Sequence, residues 1–425
     1  MTDTIFALSS GAPPAAIGVI RVSGPRARDA MLALAGRVPA PRRAALARLR
    51  DRQGAQIDEA LVLWLPGPGT ETGEDTVELQ CHGGRAVIAA VETALAALPG
   101  LRRAKPGEFT RRAFINGKID LAEAEGLADL LEAETELQRL SAMSMAGGAF
   151  SREVQAWRDQ LLNLSAAVEA VLDFADEDDV ATLPGDFALK IGELAAAIKV
   201  WLDRPRAELL KEGFRVVIAG PPNAGKSTLF NCLVEAEAAI ATPIAGTTRD
   251  VLTRPVAIAG VPFLFADTAG LHDTVDDVVE AIGIERALEA LDRADLVLWL
   301  GPEGAGPTGA WEIEAQSDRT GHVGKLSPRH RISARTGEGI ENLRADLVEK
   351  ATGALPRPGE AALNERQHDL LSDARVALLQ ASEHADPLLT AESLRVARVA
   401  FDSLLGQTAT EDLLDTVFGR FCIGK

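Results

Sequence analysis

The segment Gly220-Pro221-Pro222-Asn223-Ala224-Gly225-Lys226-Ser227 has the spacing GxxxxGKS, between an apolar run from Arg215 to Ala219 and a segment carrying Leu229, Phe230 and Leu233 at helical intervals. Few patterns restrict a fold so tightly. A strand must deliver its end to a glycine turn and a helix must start there, so that main-chain N–H groups and the helix N-terminus face a phosphate. The sequence therefore calls for an α/β domain with a mainly parallel sheet. Asn223, Ala224, Gly225, Lys226, Ser227 and Thr228 are expected to surround nucleotide phosphates, with Lys226 reaching the β- and γ-phosphates and the Ser227 hydroxyl ligating Mg²⁺. An ordinary glycine turn ahead of a helix is set aside because motif and context agree.

Two further elements follow in the order such a site needs. In Gly246-Thr247-Thr248-Arg249-Asp250, Thr248 can close on Mg²⁺ when a γ-phosphate is present. Asp267-Thr268-Ala269-Gly270 follows the apolar strand Phe263 to Ala266, which puts a carboxylate beside the metal and the Gly270 amide towards the γ-phosphate. Base selection is less regular. Where guanine-reading proteins carry NKxD, this chain has Ala315-Gln316-Ser317-Asp318, so the carboxylate remains without its Asn and Lys companions. Ser333-Ala334-Arg335 resembles the second guanine-contacting loop, whose main-chain N–H donates to O6, a group adenine lacks. GTP is favoured over ATP, with reduced selectivity or affinity left open, and a solvated loop carboxylate is the alternative for Asp318. Leu271 follows the DTAG run and can make no hydrogen bond, so the attacking water must be oriented from elsewhere.

Around this domain the texture differs. From Thr4 to about Gly117, short apolar runs (Ala16 to Val22, Leu61 to Leu65) alternate with glycine and proline, as in a small α/β domain. Asp120 and Glu123 have capping-box spacing ahead of an apolar-periodic stretch to Leu140, and helical runs follow at Arg152 to Phe174 and Phe187 to Leu210. After Leu355-Pro356-Arg357-Pro358, helical patterns return through Ala361 to Leu378 and Ala391 to Leu405. The expected fold is α/β plus all-α, a split helical bundle with the P-loop domain inserted. Its parts are 1–118, 119–210, 211–352 and 353–425. A formal charge of -18, from 44 basic and 62 acidic residues, opposes non-specific attraction to nucleic acid, so any RNA contact must be local or held by a partner. Three cysteines without a CxxC pair argue against a disulfide framework or thiolate metal site, and no run of eighteen apolar residues indicates a membrane span. A cytoplasmic protein is expected.

Beyond the nucleotide motifs, the chain carries Asp3-Thr4-Ile5, Gly18-Val19-Ile20-Arg21-Val22-Ser23-Gly24, the run Thr72 to Gln80 followed by His82-Gly83-Gly84, Pro106-Gly107-Glu108-Phe109-Thr110 with Arg112-Ala113-Phe114, and the tail Phe421-Cys422-Ile423-Gly424-Lys425. With these, it resembles the MnmE (TrmE) family of tRNA-modification GTPases over essentially its whole length. The resemblance implies a folate-binding and dimerising N-terminal domain, a helical domain split by a Ras-like GTPase domain, and hydrolysis dependent on Mg²⁺ and K⁺. It implies action with an MnmG-type FAD protein, as a homodimer within a heterotetramer, to add an aminomethyl or carboxymethylaminomethyl group at C5 of the tRNA wobble uridine, with 5-formyl-tetrahydrofolate or a related one-carbon folate bound. The tRNA would be held mainly by the partner.

Residue by residue, the resemblance carries Asn223, Thr242, Ile244 (through its carbonyl) and Thr247 as K⁺ ligands, in a nucleotide-wrapping segment that also includes Pro243, Ala245, Gly246 and Thr248. Counting back from Ile282-Gly283-Ile284-Glu285-Arg286 gives Glu280 as the water-orienting carboxylate, with a plain surface carboxylate as its alternative. Arg21, Glu78, Lys118 and Lys425 match folate-binding positions, each of which could singly be a routine surface charge. Cys422 matches a cysteine needed for modification, as nucleophile or as a small apolar side chain between helices. The competing functions are a GTP-dependent RNA-binding or ribosome-assembly factor without base chemistry, and a nucleotide switch with weak hydrolysis.

Overall fold

The computed structural model describes residues 3–173, 182–235, 253–267, 289–319 and 324–425. The chain forms two compact units, one of Met1–Ala128, Ser151–Ala156 and Val399–Lys425, the other of Asp129–Phe150 and Trp157–Arg398.

In the first unit, β1 (Thr4–Leu8), β2 (Ile17–Ser23), β3 (Ala45–Arg50), β4 (Gln56–Leu65), β5 (Thr76–His82) and β6 (Leu101–Arg103) form a sheet of order β3-β4-β5-β2-β1-β6, with only β1 and β6 parallel. Period-two alternation sends Phe6, Ile20, Val22, Val62 and Leu79 to one face, where α1 (Ala27–Ala35) and α2 (Arg85–Ala96) cover them with Met31, Leu34, Val91 and Leu95. On the opposite face, Ile5 and Ala7 pack against Phe109 of α3 (Glu108–Ile115).

The sequence from 387 onward ends in α12 (Pro387–Leu404) and α13 (Glu411–Gly419), and Val417 and Phe418 of α13 pack with Leu121 and Ala124 of α4 (Leu121–Glu132). Beyond α13 the tail is stitched to the N-terminal sheet region. Ile423 bridges to Pro106, the Gly107 N–H donates to the Cys422 carbonyl at 3.4 Å, and the Phe109 N–H to that of Lys425 at 3.2 Å. Gly424 has φ +100°, and a Cβ there would lie 2.1 Å from the Leu8 carbonyl oxygen, so only glycine fits.

Arg112 of α3 is fully buried. Its guanidinium donates to Glu74 Oε2 at 2.8 Å, to Asp3 Oδ1 at 3.0 Å and to the Asp3 carbonyl at 3.1 Å. Arg102 joins the same cluster through Asp3 at 2.6 Å and Glu108 Oε2 at 2.8 Å. Burial pushes the Glu108 carboxyl up, but the Arg102 hydrogen bond, the Lys105 amide and the charges of Arg102 and Arg112 outweigh it and leave it below the usual carboxylate range; Asp3 is lowered in the same way. Arg112→Met is expected to lower stability by about 3 kcal/mol, because it leaves the largely buried Glu74 carboxylate without its cation while Asp3 and Glu108 keep Arg102, and urea unfolding measures it. With folded-state values depressed, this contribution is complete above the ordinary carboxylate range and is lost as pH falls through the lowered values, below about pH 4.

In the second unit, α5 (Glu136–Ala146), most of α6 (Ala149–Asp173), α7 (Phe187–Leu202), α8 (Ala207–Glu212) and α11 (Glu365–Glu383) accompany the nucleotide domain. The Asp120–Glu123 capping box forms with 2.8 and 2.9 Å hydrogen bonds, but the helix it starts ends at Glu132 rather than near Leu140. A second capping box, Thr135 with Gln138, opens α5 and interrupts the run. The expected helix from Phe187 to Leu210 is likewise broken, because Pro205 separates α7 from α8. The helix expected from Ala361 begins at Glu365 instead, where Asn364 caps it.

The second sheet has order β12-β11-β10-β7-β9-β8, from β7 (Phe214–Ala219), β8 (Thr253–Ile258), β9 (Val261–Asp267), β10 (Leu296–Trp299), β11 (Trp311–Glu314) and β12 (His330–Arg331). All neighbours are parallel except the β8–β9 hairpin. β8 and β11 went unforeseen, since Pro255 breaks the first and Glu312 and Glu314 dilute the second. α9 (Lys226–Glu235) and α10 (Ile340–Ala354) contribute Leu229, Phe230, Leu233, Leu343 and Leu347 to its core. The connection from β10 to β11, residues 300–310, contains no helix although the strands are parallel. Trp299 fills that space: its Nε1 donates to the Pro302 carbonyl at 2.9 Å, and Gly301 and Gly306 have no side chain to collide with its ring.

Candidate nucleotide site

β7, buried between β9 and β10, ends at Ala219, and the chain turns through Gly220 (φ +150°) and Gly225 (φ +94°) into α9. A Cβ on Gly220 would lie 3.1 Å from the Gly301 nitrogen, just beyond the end of β10. The turn can therefore pass over the neighbouring strand only as glycine. Asn223 sits at φ +62°, a left-handed conformation that asparagine tolerates better than most residues.

Lys226 is almost fully buried, and its Nζ donates to the carbonyls of Gly220 at 3.0 Å and Pro221 at 2.9 Å. Burial pulls its ammonium below the ordinary lysine value, with the nearby Asp267 carboxylate opposing. Ser227, the next residue, donates its hydroxyl to Asp267 Oδ2 at 2.7 Å. Thus the end of β9 and the start of α9 bring a carboxylate, a hydroxyl and an ammonium together, as the sequence spacing predicts.

On the other side of the loop, β11 delivers Asp318 to the region ahead of α10. Asp318 Oδ1 accepts from the Ser333 hydroxyl at 2.8 Å, and Arg335 lies 4.0 Å away. The Ser333 hydrogen bond, with help from the charges of Arg335 and Arg319, holds the Asp318 carboxyl below its usual range. Ser333 is buried and its N–H bonds to the Glu338 carbonyl, so the Ser333-Ala334-Arg335 loop is braced from within. Gln316, which the motif comparison set aside as a lost lysine, donates from Nε2 to the Asn223 carbonyl at 3.1 Å. Only its position two residues before Asp318 could have marked it. Thr242, Pro243, Ile244, Ala245, Gly246, Thr247, Thr248, Thr268, Ala269, Gly270 and Glu280 lie outside the described residues.

In the N-terminal unit, Arg21 and Glu78 are register partners on β2 and β5, and the guanidinium donates to Glu78 Oε1 at 2.9 Å and also to Glu71. Lys118 reaches towards Gly73, where its Cε would be 3.0 Å from an added Cβ. Lys425 is held by its main chain at Phe109, and Cys422 is an exposed free thiol. Among the described residues no cluster of His, Cys, Asp and Glu has metal-site geometry and no helix is long and apolar enough to cross a membrane.

A glycine turn closed around a buried lysine, with a Ser–Asp pair at the ends of adjoining elements of a mainly parallel sheet, defines a P-loop nucleotide-binding protein. The description "MnmE helical domain" matches residues 121–422, and "GTP-binding protein TrmE N-terminus" matches residues 4–118. The tRNA modification GTPase MnmE of Erythrobacter litoralis is 63% identical over 423 residues, covering 100% of both chains. That of Novosphingobium aromaticivorans is 62% identical over 437 residues, again covering 100% of both. The chain belongs to the MnmE family of tRNA-modification GTPases, and it is a GTP hydrolase of tRNA modification. Among solved structures, the G domain of the T. maritima FeoB iron transporter is 23% identical with a TM-score of 0.24, covering 32% of this chain and 98% of that one. Era bound to MgGDPNP and a 16S ribosomal RNA segment is 24% identical with a TM-score of 0.25, covering 41% and 69%.

Xanthine carries an accepting carbonyl where guanine carries its donating 2-amino group, so a side chain at position 318 that reads this edge must change from acceptor to donor. Asp318→Asn is expected to shift preference from GTP towards XTP by about ten-fold or more, as for a site built around one hydrogen-bonding edge. Competition binding with the two nucleotides checks it.

Proposed function

We propose that this GTPase works with an MnmG-type flavoprotein to install an aminomethyl or carboxymethylaminomethyl group at C5 of the tRNA wobble uridine. The supporting observation is identity of 63% along the full length of a named tRNA modification GTPase, with the two family descriptions matching residues 4–118 and 121–422. On this reading residues 1–118 bind a one-carbon folate and dimerise, 119–210 and 353–425 form the split helical domain, and 211–352 hydrolyse GTP. The protein acts in the cytoplasm, and the partner holds most of the tRNA.

The residues present suit the ions this reading requires. Ser227 and Asp267 supply hard oxygen donors suited to Mg²⁺, which when bound offsets phosphate charge. Lys226 would exchange its loop carbonyls for phosphate oxygens, so that one buried cation is satisfied in both situations. Asn223, on the same loop, is suited to K⁺ together with Thr242, Ile244 and Thr247. For the folate, Arg21 and Glu78 already face each other, a guanidinium for anionic or carbonyl oxygens and a carboxylate for the pterin edge, with Lys118 and Lys425 as further cations.

Nucleoside analysis of tRNA from cells lacking the protein tests the reading directly: the modified wobble uridine should disappear, and its persistence would refute the proposal. Glu280→Ala is expected to abolish hydrolysis while nucleotide affinity stays nearly intact, and undiminished turnover would take Glu280 out of the reaction. Cys422→Ser should spare GTP hydrolysis and stop tRNA modification, measured on the same preparation.

A further inference from the structure

Gln316 sits at φ +61°, one of four non-glycine residues with positive φ among those described, and it faces another, Asn223, across the nucleotide site. Left-handed backbone costs about 1 kcal/mol or more for a residue with a Cβ, and glutamine has no local hydrogen bond that compensates as asparagine's can. What that conformation achieves is direction. The side chain crosses Gly225, whose hypothetical Cβ would be 3.1 Å from Nε2 and 3.5 Å from Cγ, and ends on the Asn223 carbonyl of the phosphate loop at 3.1 Å.

The other end of the amide is also engaged. Arg319 Nη1 donates to Gln316 Oε1 at 2.8 Å, and the Arg319 N–H donates to the Gln316 carbonyl at 3.0 Å. The two partners leave one orientation open to the amide, since a carbonyl needs a donor and a guanidinium needs an acceptor. A lysine would present a cation to Arg319, and a glutamate would have nothing to donate to Asn223. The neighbours of Gln316 are fixed as well: the Ser317 N–H bonds to the Ile332 carbonyl at 3.1 Å, and Asp318 is held by Ser333.

We propose that Gln316 is the positioning residue that sets base specificity, its amide tying the loop of Asp318 to the phosphate loop at Asn223 so that the base-reading carboxylate keeps a fixed distance from the phosphate cradle. The inference rests on Asp318 as the base reader. Gln316 touches neither phosphate nor reacting water in this role, so it acts on recognition rather than on chemistry.

The test is steady-state hydrolysis of GTP and of ITP, which lacks the 2-amino group, by the full chain carrying Gln316→Glu. That variant keeps the side-chain size and an acceptor for Arg319, removes the donor to Asn223 and sets a carboxylate against that carbonyl, a charge that acts on the phosphates of both nucleotides alike. The KM for GTP should rise roughly five- to ten-fold, the worth of about one hydrogen bond, with kcat within about two-fold, and the GTP-over-ITP preference should shrink by a similar factor. Gln316→Lys, which restores a donor, should recover part of the KM. Wild-type KM and preference in Gln316→Glu would overturn the proposal. So would an equal loss for both nucleotides, which is the behaviour of a plain structural brace. Asp318→Asn with an undiminished GTP-over-XTP preference would instead remove the base reader itself, a result read independently of Gln316.

Discussion

A buried ammonium surrounded by main-chain oxygen is the contact on which the nucleotide domain depends. Lys226 cannot stay charged away from water unless something replaces its hydration, and the carbonyls of Gly220 and Pro221 do so. Those carbonyls can point inward only because the loop passes through conformations that glycine alone adopts freely. The loop in turn rests on Gly301, just beyond the end of β10, so the strand order places the cradle. The same arrangement leaves the lysine ready to trade neutral oxygens for anionic ones, an exchange that strengthens each bond as a phosphate enters.

The N-terminal unit rests on a different device. One face of its sheet is closed by helices in the ordinary apolar manner, whereas the other side is joined to α3 by charge as well as by Ile5, Ala7 and Phe109, and to the chain's last residues by main-chain hydrogen bonds. Arg112, Arg102, Asp3, Glu74 and Glu108 fix the ends of β1 and β2 relative to α3. A buried network of this kind contributes geometry more than net stability, since well-packed apolar groups would hold the elements with less desolvation. Its value is a defined placement of α3 against the ends of β1 and β2.

Much of this was legible in the sequence because local chemistry and fold agree. The strand before Gly220, the helix after Lys226 and the Ser227–Asp267 pairing follow from spacing alone, as does the Asp120–Glu123 cap. Helix ends were less legible, because Thr135–Gln138 and Asn364–Gln367 are capping signals buried within continuous apolar periodicity, and Pro205 interrupts another such run. The helix-free crossover before β11 was not legible, since its coherence comes from Trp299 folding over two glycines. Gln316 was hidden for a related reason. A motif compares residue types, whereas its role comes from a left-handed backbone and from Arg319, which no motif contains.

The seating of Gly424 against Leu8 has a consequence for how the molecule is made. Strand β1 precedes the nucleotide domain along the chain and Gly424 follows it, so the two can meet only after the entire nucleotide domain has been synthesised. Nascent N-terminal sheet can cover Ile5 and Ala7 with Ala104 and Phe109 at once, but the main-chain bonds that seat residues 422–425 at Gly107 and Phe109 form only after the nucleotide domain has been made. Premature termination anywhere in the nucleotide domain would release a chain lacking the segment that seats at Leu8, a natural substrate for chaperones and proteases.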